Sequence, residues 1–138
     1  MPKVFVDTVF IVALINTNDQ HHAQAALLAD TYDGHPLLIT DAVLLEVGNA
    51  LARSFKPQAI AVIDELLNSP QTELVRLNAR LFDEAFALFR SHADKQWGLV
   101  DCVSFVAMRA AGVTEVLTHD RHFVQAGFRA LMREEGSA

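Results

Sequence analysis

Short apolar runs alternating with helix-length stretches constrain the fold of this chain more than any other feature. Lys3 to Val6, Leu37 to Thr40, Thr72 to Val75, Val113 to Thr118 and Gly127 to Leu131 read as strands. Runs of this length, without strict alternation of apolar and polar residues, suit strands buried on both faces. Between them lie segments of helical period. One covers Val9 to Leu14, and a second covers His22 to Tyr32 with Asp19 as its cap. A third carries Ala42 to Arg53 behind a Thr40/Asp41 cap, and a fourth runs from Pro57 to Asn68. A fifth, capped by Asn78, has Leu81, Phe82, Ala85, Phe86 and Phe89 at helical spacing. The last, Leu99 to Ala111, follows Trp97-Gly98 and ends at Gly112. Strands separated by helices predict an α/β domain with a mainly parallel sheet covered on both faces.

The 138 residues fit one domain. We read 1–133 as that domain and 134–138 as a frayed tail. The longest apolar stretches, such as Val9 to Ile15, fall far short of the ~20 residues that cross a bilayer. The N-terminus lacks a basic region followed by a long apolar one, so a cytoplasmic location is expected. Cys102 is the single cysteine, which excludes an intramolecular disulfide and a thiolate zinc site. In its apolar helical run it reads as a small core residue. The net charge of −6, from 17 acidic against 11 basic residues, speaks against a generic nucleic-acid footprint. It does not speak against an acidic active site, because carboxylates neutralised by a bound ion still count in such a tally.

Four carboxylates occupy positions that packing alone does not favour. Asp7 ends the first strand and Asp120 stands just past the fourth, both at the strand ends beyond which open α/β sheets bind ligands. Glu46 lies one turn from Val43 and Ala50 on an apolar stripe, which predicts an inward or cleft-facing side chain. Asp101 opens the most apolar helix, one turn before Phe105. Singly, each has an ordinary alternative: Asp7 and Asp120 as turn or N-cap residues, Asp101 as an acid favoured by a helix dipole, Glu46 as a solvated helix residue. Jointly, several partly buried carboxylates repel and must protonate or find a cation. Mg²⁺ or Mn²⁺, which prefer oxygen ligands, would resolve the conflict.

Phe5-Val6-Asp7-Thr8, Glu46 after Thr40-Asp41-Ala42-Val43-Leu44-Leu45, Leu99-Val100-Asp101-Cys102-Val103-Ser104-Phe105, and Leu117-Thr118-His119-Asp120-Arg121-His122-Phe123 together resemble the PIN-domain family, and within it the VapC-like toxins. The resemblance covers nearly the whole chain, in order. It implies a three-layer α/β/α fold with a mainly parallel five-stranded sheet, and a Mg²⁺- or Mn²⁺-dependent endoribonuclease, the toxin of a toxin–antitoxin pair, that cleaves single-stranded or structured RNA. Asp7, Glu46 and Asp101 match the family's acidic triad and Asp120 its more variable fourth acid. All four are thereby candidate catalytic and metal-binding residues. Thr8 and Thr118 match supporting hydroxyl positions. Where the family often has Ser after Asp-Thr, this chain has Val9. The resemblance also implies a homodimer, and a small antitoxin protein that covers the site. The competing expectation is a non-catalytic PIN-like module that binds RNA or protein.

Other residues read more plainly. His21, His22 and His35 are expected to be solvated. His119 and His122 flank Asp120, at a spacing suited to packing or RNA contact more than to zinc. The Phe82, Phe86, Phe89 row reads as core, and Trp97 as either core or a stacking surface. Arg53, Lys56, Arg76, Arg80, Lys95 and Arg121 are dispersed. Phosphotransfer on an aspartate lacks its Asp-x-Asp, and the glycine-rich nucleotide motifs are absent.

Overall fold

The computed structural model describes residues 1–134. Its five strands are β1 (Val4–Val6), β2 (Leu37–Thr40), β3 (Thr72–Val75), β4 (Glu115–Leu117) and β5 (Arg129–Ala130). They form one sheet in the order β3-β2-β1-β4-β5, and every adjacent pair is parallel. The helices between them are α1 (Thr8–Ile15), α2 (His22–Thr31), α3 (Asp41–Leu51), α4 (Lys56–Asn68), α5 (Ala79–Ser91), α6 (Leu99–Ala111) and α7 (Arg121–Gln125). From β1 to β3 the chain steps one way across the sheet, and from β3 to β5 it steps the other way. Right-handed crossovers therefore place the first helices on one face and the later ones on the opposite face. The result is the expected three-layer α/β/α arrangement.

The reversal of direction has a functional consequence. Chain leaving β1 and chain leaving β4 diverge between two adjacent parallel strands, which opens a crevice at their carboxyl ends. An aromatic cluster fills the core around β1, α6 and α7. Phe5 of β1, Phe105 of α6 and Phe123 of α7 are fully buried. Phe105 packs edge-on against Phe123 at 5.0 Å and against Trp97 at 5.1 Å between ring centroids. Trp97 is thus a core residue, and its indole N–H donates to Gln125 Oε1 at 3.0 Å. This bond ties the segment before α6 to α7.

Local chemistry accounts for the expected boundaries that shift. Val113 does not pair in the sheet, because its N–H closes α6 on the carbonyl of Met108 at 2.9 Å. That closure follows Gly112, whose φ of 68° is one that L side chains adopt only with strain. Gly127 likewise turns at φ 96° before β5, and Leu131 begins a 3₁₀ turn. Helix α7 was not expected, being too short to show a period; Asp120 caps it by accepting from His122 N–H at 2.9 Å. Asp19 does not cap α2 from within: its carboxylate accepts from His21 N–H, one residue before the helix. Thr40 and Asn78 cap α3 and α5 as expected.

Two expectations about faces are corrected. Phe82, Phe86 and Phe89 are 42%, 40% and 41% exposed and stack along the outside of α5, while Leu81 and Ala85 supply its buried face. Five apolar residues exceed what one helical stripe can bury, and the three rings fall on the outer side. The histidines expected to be solvated are half-buried and engaged. His22 Nδ1 lies 2.9 Å from Ala13 O, His35 Nε2 lies 3.0 Å from Pro2 O, and His21 stacks on His119 at 3.9 Å. Of the expected tail, Glu134 accepts an ion pair from Arg129, and 135–138 lie outside the described residues.

Candidate active site

Asp7 follows β1 directly and is only 4% exposed. Its N–H reaches across the crevice to the carbonyl of Leu117 on β4, at 3.3 Å. Its carboxylate accepts from Thr118 Oγ1 at 2.8 Å through Oδ2. Burial raises its pKa from 3.8 to about 7. The hydrogen bonds from Thr118 and the Thr8 backbone oppose that rise, and the charges of Asp101 and Asp120 add to it. A carboxylate in this state is poised between keeping a proton and accepting a cation.

Thr118 serves two acids through one hydroxyl. Its oxygen donates to Asp7 and accepts from the N–H of Asp120 at 3.0 Å. Asp120 in turn accepts from His122 N–H through Oδ1. In the first turn of α6, Asp101 receives Gly98 N–H at 3.0 Å and His122 Nδ1 at 3.0 Å, both on Oδ2. Burial also pushes the Asp101 carboxyl upward, against the lowering effect of those two donors. On the opposite wall Thr8 Oγ1 donates to Glu46 Oε1 at 2.7 Å. Glu46 is exposed, as are Leu45 and Ala50, so of its two expected placements it takes the cleft-facing one, while α3 buries Val43, Leu44 and Val47.

An open cavity of about 530 Å³ is lined by Asp7, Thr8, Val9, Glu46, Asn49, Ala50, Asp101 and Asp120. Residues from four separate stretches of sequence thus meet at the carboxyl ends of β1 and β4. Thr118 is fully buried beneath them. Val9, at the position where the family often has Ser, lines the same wall. In each of Asp7, Asp101 and Asp120 one oxygen accepts a side-chain or backbone hydrogen bond through Oδ2 or Oδ1. The partner oxygen of Asp101 and of Asp120 accepts none among the described residues.

A PIN domain profile matches residues 4–129. The chain belongs to the PIN-domain family. The PIN domain here is 29% identical over 126 residues to the 23S rRNA-specific endonuclease VapC20 of Mycobacterium tuberculosis, covering 91% of this chain and 95% of that protein. The crystal structure of that VapC20, described as a sarcin–ricin loop cleaving toxin, superposes with a TM-score of 0.82 at 28% identity, covering 91% and 96% of the two chains. VapBC2 from Rickettsia felis, bound to a promoter DNA fragment, shares the fold at a TM-score of 0.65 and 16% identity, covering 92% and 95% of the chains. FitAcB from Neisseria gonorrhoeae does so at 0.64 and 15%, with the same coverage.

One residue that contacts the acids was absent from the expected site. His122 touches both Asp101 and Asp120, whereas His119 turns away onto His21. The signal was an Asp-x-His at a helix start, legible only once α7 is known to begin there. Among the described residues no helix is long and apolar enough to cross a membrane.

Proposed function

We propose that this PIN domain is a metal-dependent endoribonuclease acting through Asp7, Glu46, Asp101 and Asp120, and that it is the toxin of a toxin–antitoxin pair. The observation that carries the reading is the meeting of these four acids on one cavity, with Asp7 buried and its carboxyl pushed up to about 7. The donors present are all hard carboxylate oxygens, which suits Mg²⁺ or Mn²⁺. Asp7, Asp101 and Asp120 would hold the ion, with Thr118 fixing Asp7 from below. When bound, the ion supplies positive charge to the scissile phosphodiester and its leaving oxygen, and makes water easier to deprotonate. Glu46, oriented by Thr8, has Oε2 without a hydrogen-bond partner among the described residues, to receive a proton or to complete the ion's ligands. Cys102 is buried and its thiol is pushed up to about 11, so it supplies no thiolate nucleophile.

Likeness to VapC20 across the whole domain makes a ribosomal stem-loop of the sarcin–ricin kind the RNA we infer as substrate class. A small antitoxin would cover the acids, most simply with a basic side chain. The exposed Phe82, Phe86 and Phe89 stripe supports a homodimer, since three stacked rings are a large apolar surface to leave in water.

The test is incubation of the purified protein with a sarcin–ricin stem-loop RNA, with Mn²⁺ or with chelator. Discrete cleavage that needs Mn²⁺ and disappears in Asp101→Asn is expected. Asparagine keeps an acceptor for Gly98 N–H, so the fold should persist. Tight RNA binding without cleavage would favour the non-catalytic module. Cleavage undiminished in chelator would remove the metal.

A further inference from the structure

His122 lies behind the acids and does not line the cavity. Its Nδ1 is 3.0 Å from Asp101 Oδ2 and 3.4 Å from Asp120 Oδ1, and both side chains of the closer pair are only 20% exposed. With Asp101 ionised its oxygens only accept, and Nδ1 is then the donor. We propose that His122 is a positioning residue, which holds Asp101 through its imidazole and Asp120 through its backbone N–H, and so sets one oxygen of each free for a cation before the cation arrives.

The bonding around each acid supports this assignment. Asp101 Oδ2 receives two donors, Gly98 N–H and His122 Nδ1, which leaves Oδ1 as its unengaged oxygen. Asp120 Oδ1 receives the His122 backbone N–H, which leaves Oδ2. Residue 122 therefore binds both acids, one through its ring and one through its backbone. The backbone that carries the ring is anchored by the next residue, Phe123, which is fully buried against Phe5, Phe105 and Phe128. Gln125, one turn on, is tied to Trp97. Without the imidazole Asp101 keeps only the Gly98 donor and is no longer held against the like charge of Asp120. A cation would then have to gather ligands that the protein now holds together. Loss of such a supporting hydrogen bond commonly weakens metal affinity about 10–100-fold.

This inference rests on the metal-dependent reading above, and two variants separate it from that reading. His122→Ala removes the ring but keeps the backbone N–H that caps α7. His122→Asn restores an N–H donor near the Nδ1 position. The measurement is calorimetric titration of Mn²⁺ into the whole protein, with thermal melting in chelator as the check on folding. His122→Ala is expected to weaken Mn²⁺ binding about 10–100-fold, and His122→Asn to bind like the wild type. Unchanged affinity in His122→Ala overturns the proposal. An equal loss in both variants overturns it too, by making the ring nitrogen itself a ligand. A wild type that takes up no Mn²⁺ defeats the metal reading instead. The clamp is then decided by ¹⁵N NMR of His122 in the cation-free protein, where a proton on Nε2 alone would refute it.

Discussion

Replacing Asp7 by asparagine should stabilise the cation-free protein, although it removes a residue at the centre of the site. The carboxyl has an unfolded-state pKa near 3.8 and a folded-state value of about 7. Below pH 4 it is protonated in both states and contributes no penalty. As pH rises from 4 to 7 the unfolded chain gives up its proton while the folded chain keeps it, so folding becomes progressively less favourable. Above pH 7 the penalty levels off at about 4 kcal/mol, from 1.36 kcal/mol for each tenfold in proton affinity. Asparagine escapes that penalty and still accepts from Thr118 Oγ1, but its amide cannot accept from the Thr8 backbone, at a cost of about 1–2 kcal/mol. The net gain at pH 8 is roughly 2–3 kcal/mol, or 5–10 °C in Tm. Urea and thermal melts in chelator at pH 4 and pH 8 measure it. Added Mn²⁺ at a thousand times its Kd should reverse the order, since it stabilises the wild type by about 4.1 kcal/mol and has lost a ligand in the variant. An Asp7→Asn protein no more stable than wild type at pH 8, or equally stabilised at pH 4, would refute the burial argument.

Thr118→Val keeps the shape but strips the donor from Asp7 and the acceptor from Asp120 N–H; it should lower stability by about 1–3 kcal/mol in urea melts and move Asp7 titration to still higher pH. Phe86→Glu places a charge in the middle of the stacked row on α5, and light scattering should show a monomer where the wild type is a dimer; a monomeric wild type would contradict the dimer reading. Ser104 Oγ is fully buried without a hydrogen-bond partner among the described residues, so Ser104→Ala should raise stability by about 1 kcal/mol in chemical denaturation.

The strands and most helices were legible because their signals are local. Thr40 and Asn78 sit where a capping hydroxyl or amide is needed, and the apolar runs of β1 and β2 are those of strands covered on both faces. The acids were legible as candidates through their position at strand ends and helix starts. What was not legible depends on long-range contacts. The outward turn of Phe82, Phe86 and Phe89 follows from which side of α5 meets α6, and periodicity alone does not choose that side. Glu46 lies on a stripe whose neighbours Leu45 and Ala50 are themselves exposed, so its environment is set by Thr8 across the crevice. His122 reads as one histidine among six until α7 places its ring on two carboxylates that are distant from each other in sequence.

The central claim is that these acids form one cation site at the divergence of β1 and β4. Crystals soaked in Mn²⁺ and measured for anomalous scattering test it most directly. The account predicts a peak within bonding distance of carboxylate oxygens from Asp7 and Asp101, with Asp120 close by. A peak elsewhere on the surface, or none at millimolar Mn²⁺ with the site open to solvent, would contradict it.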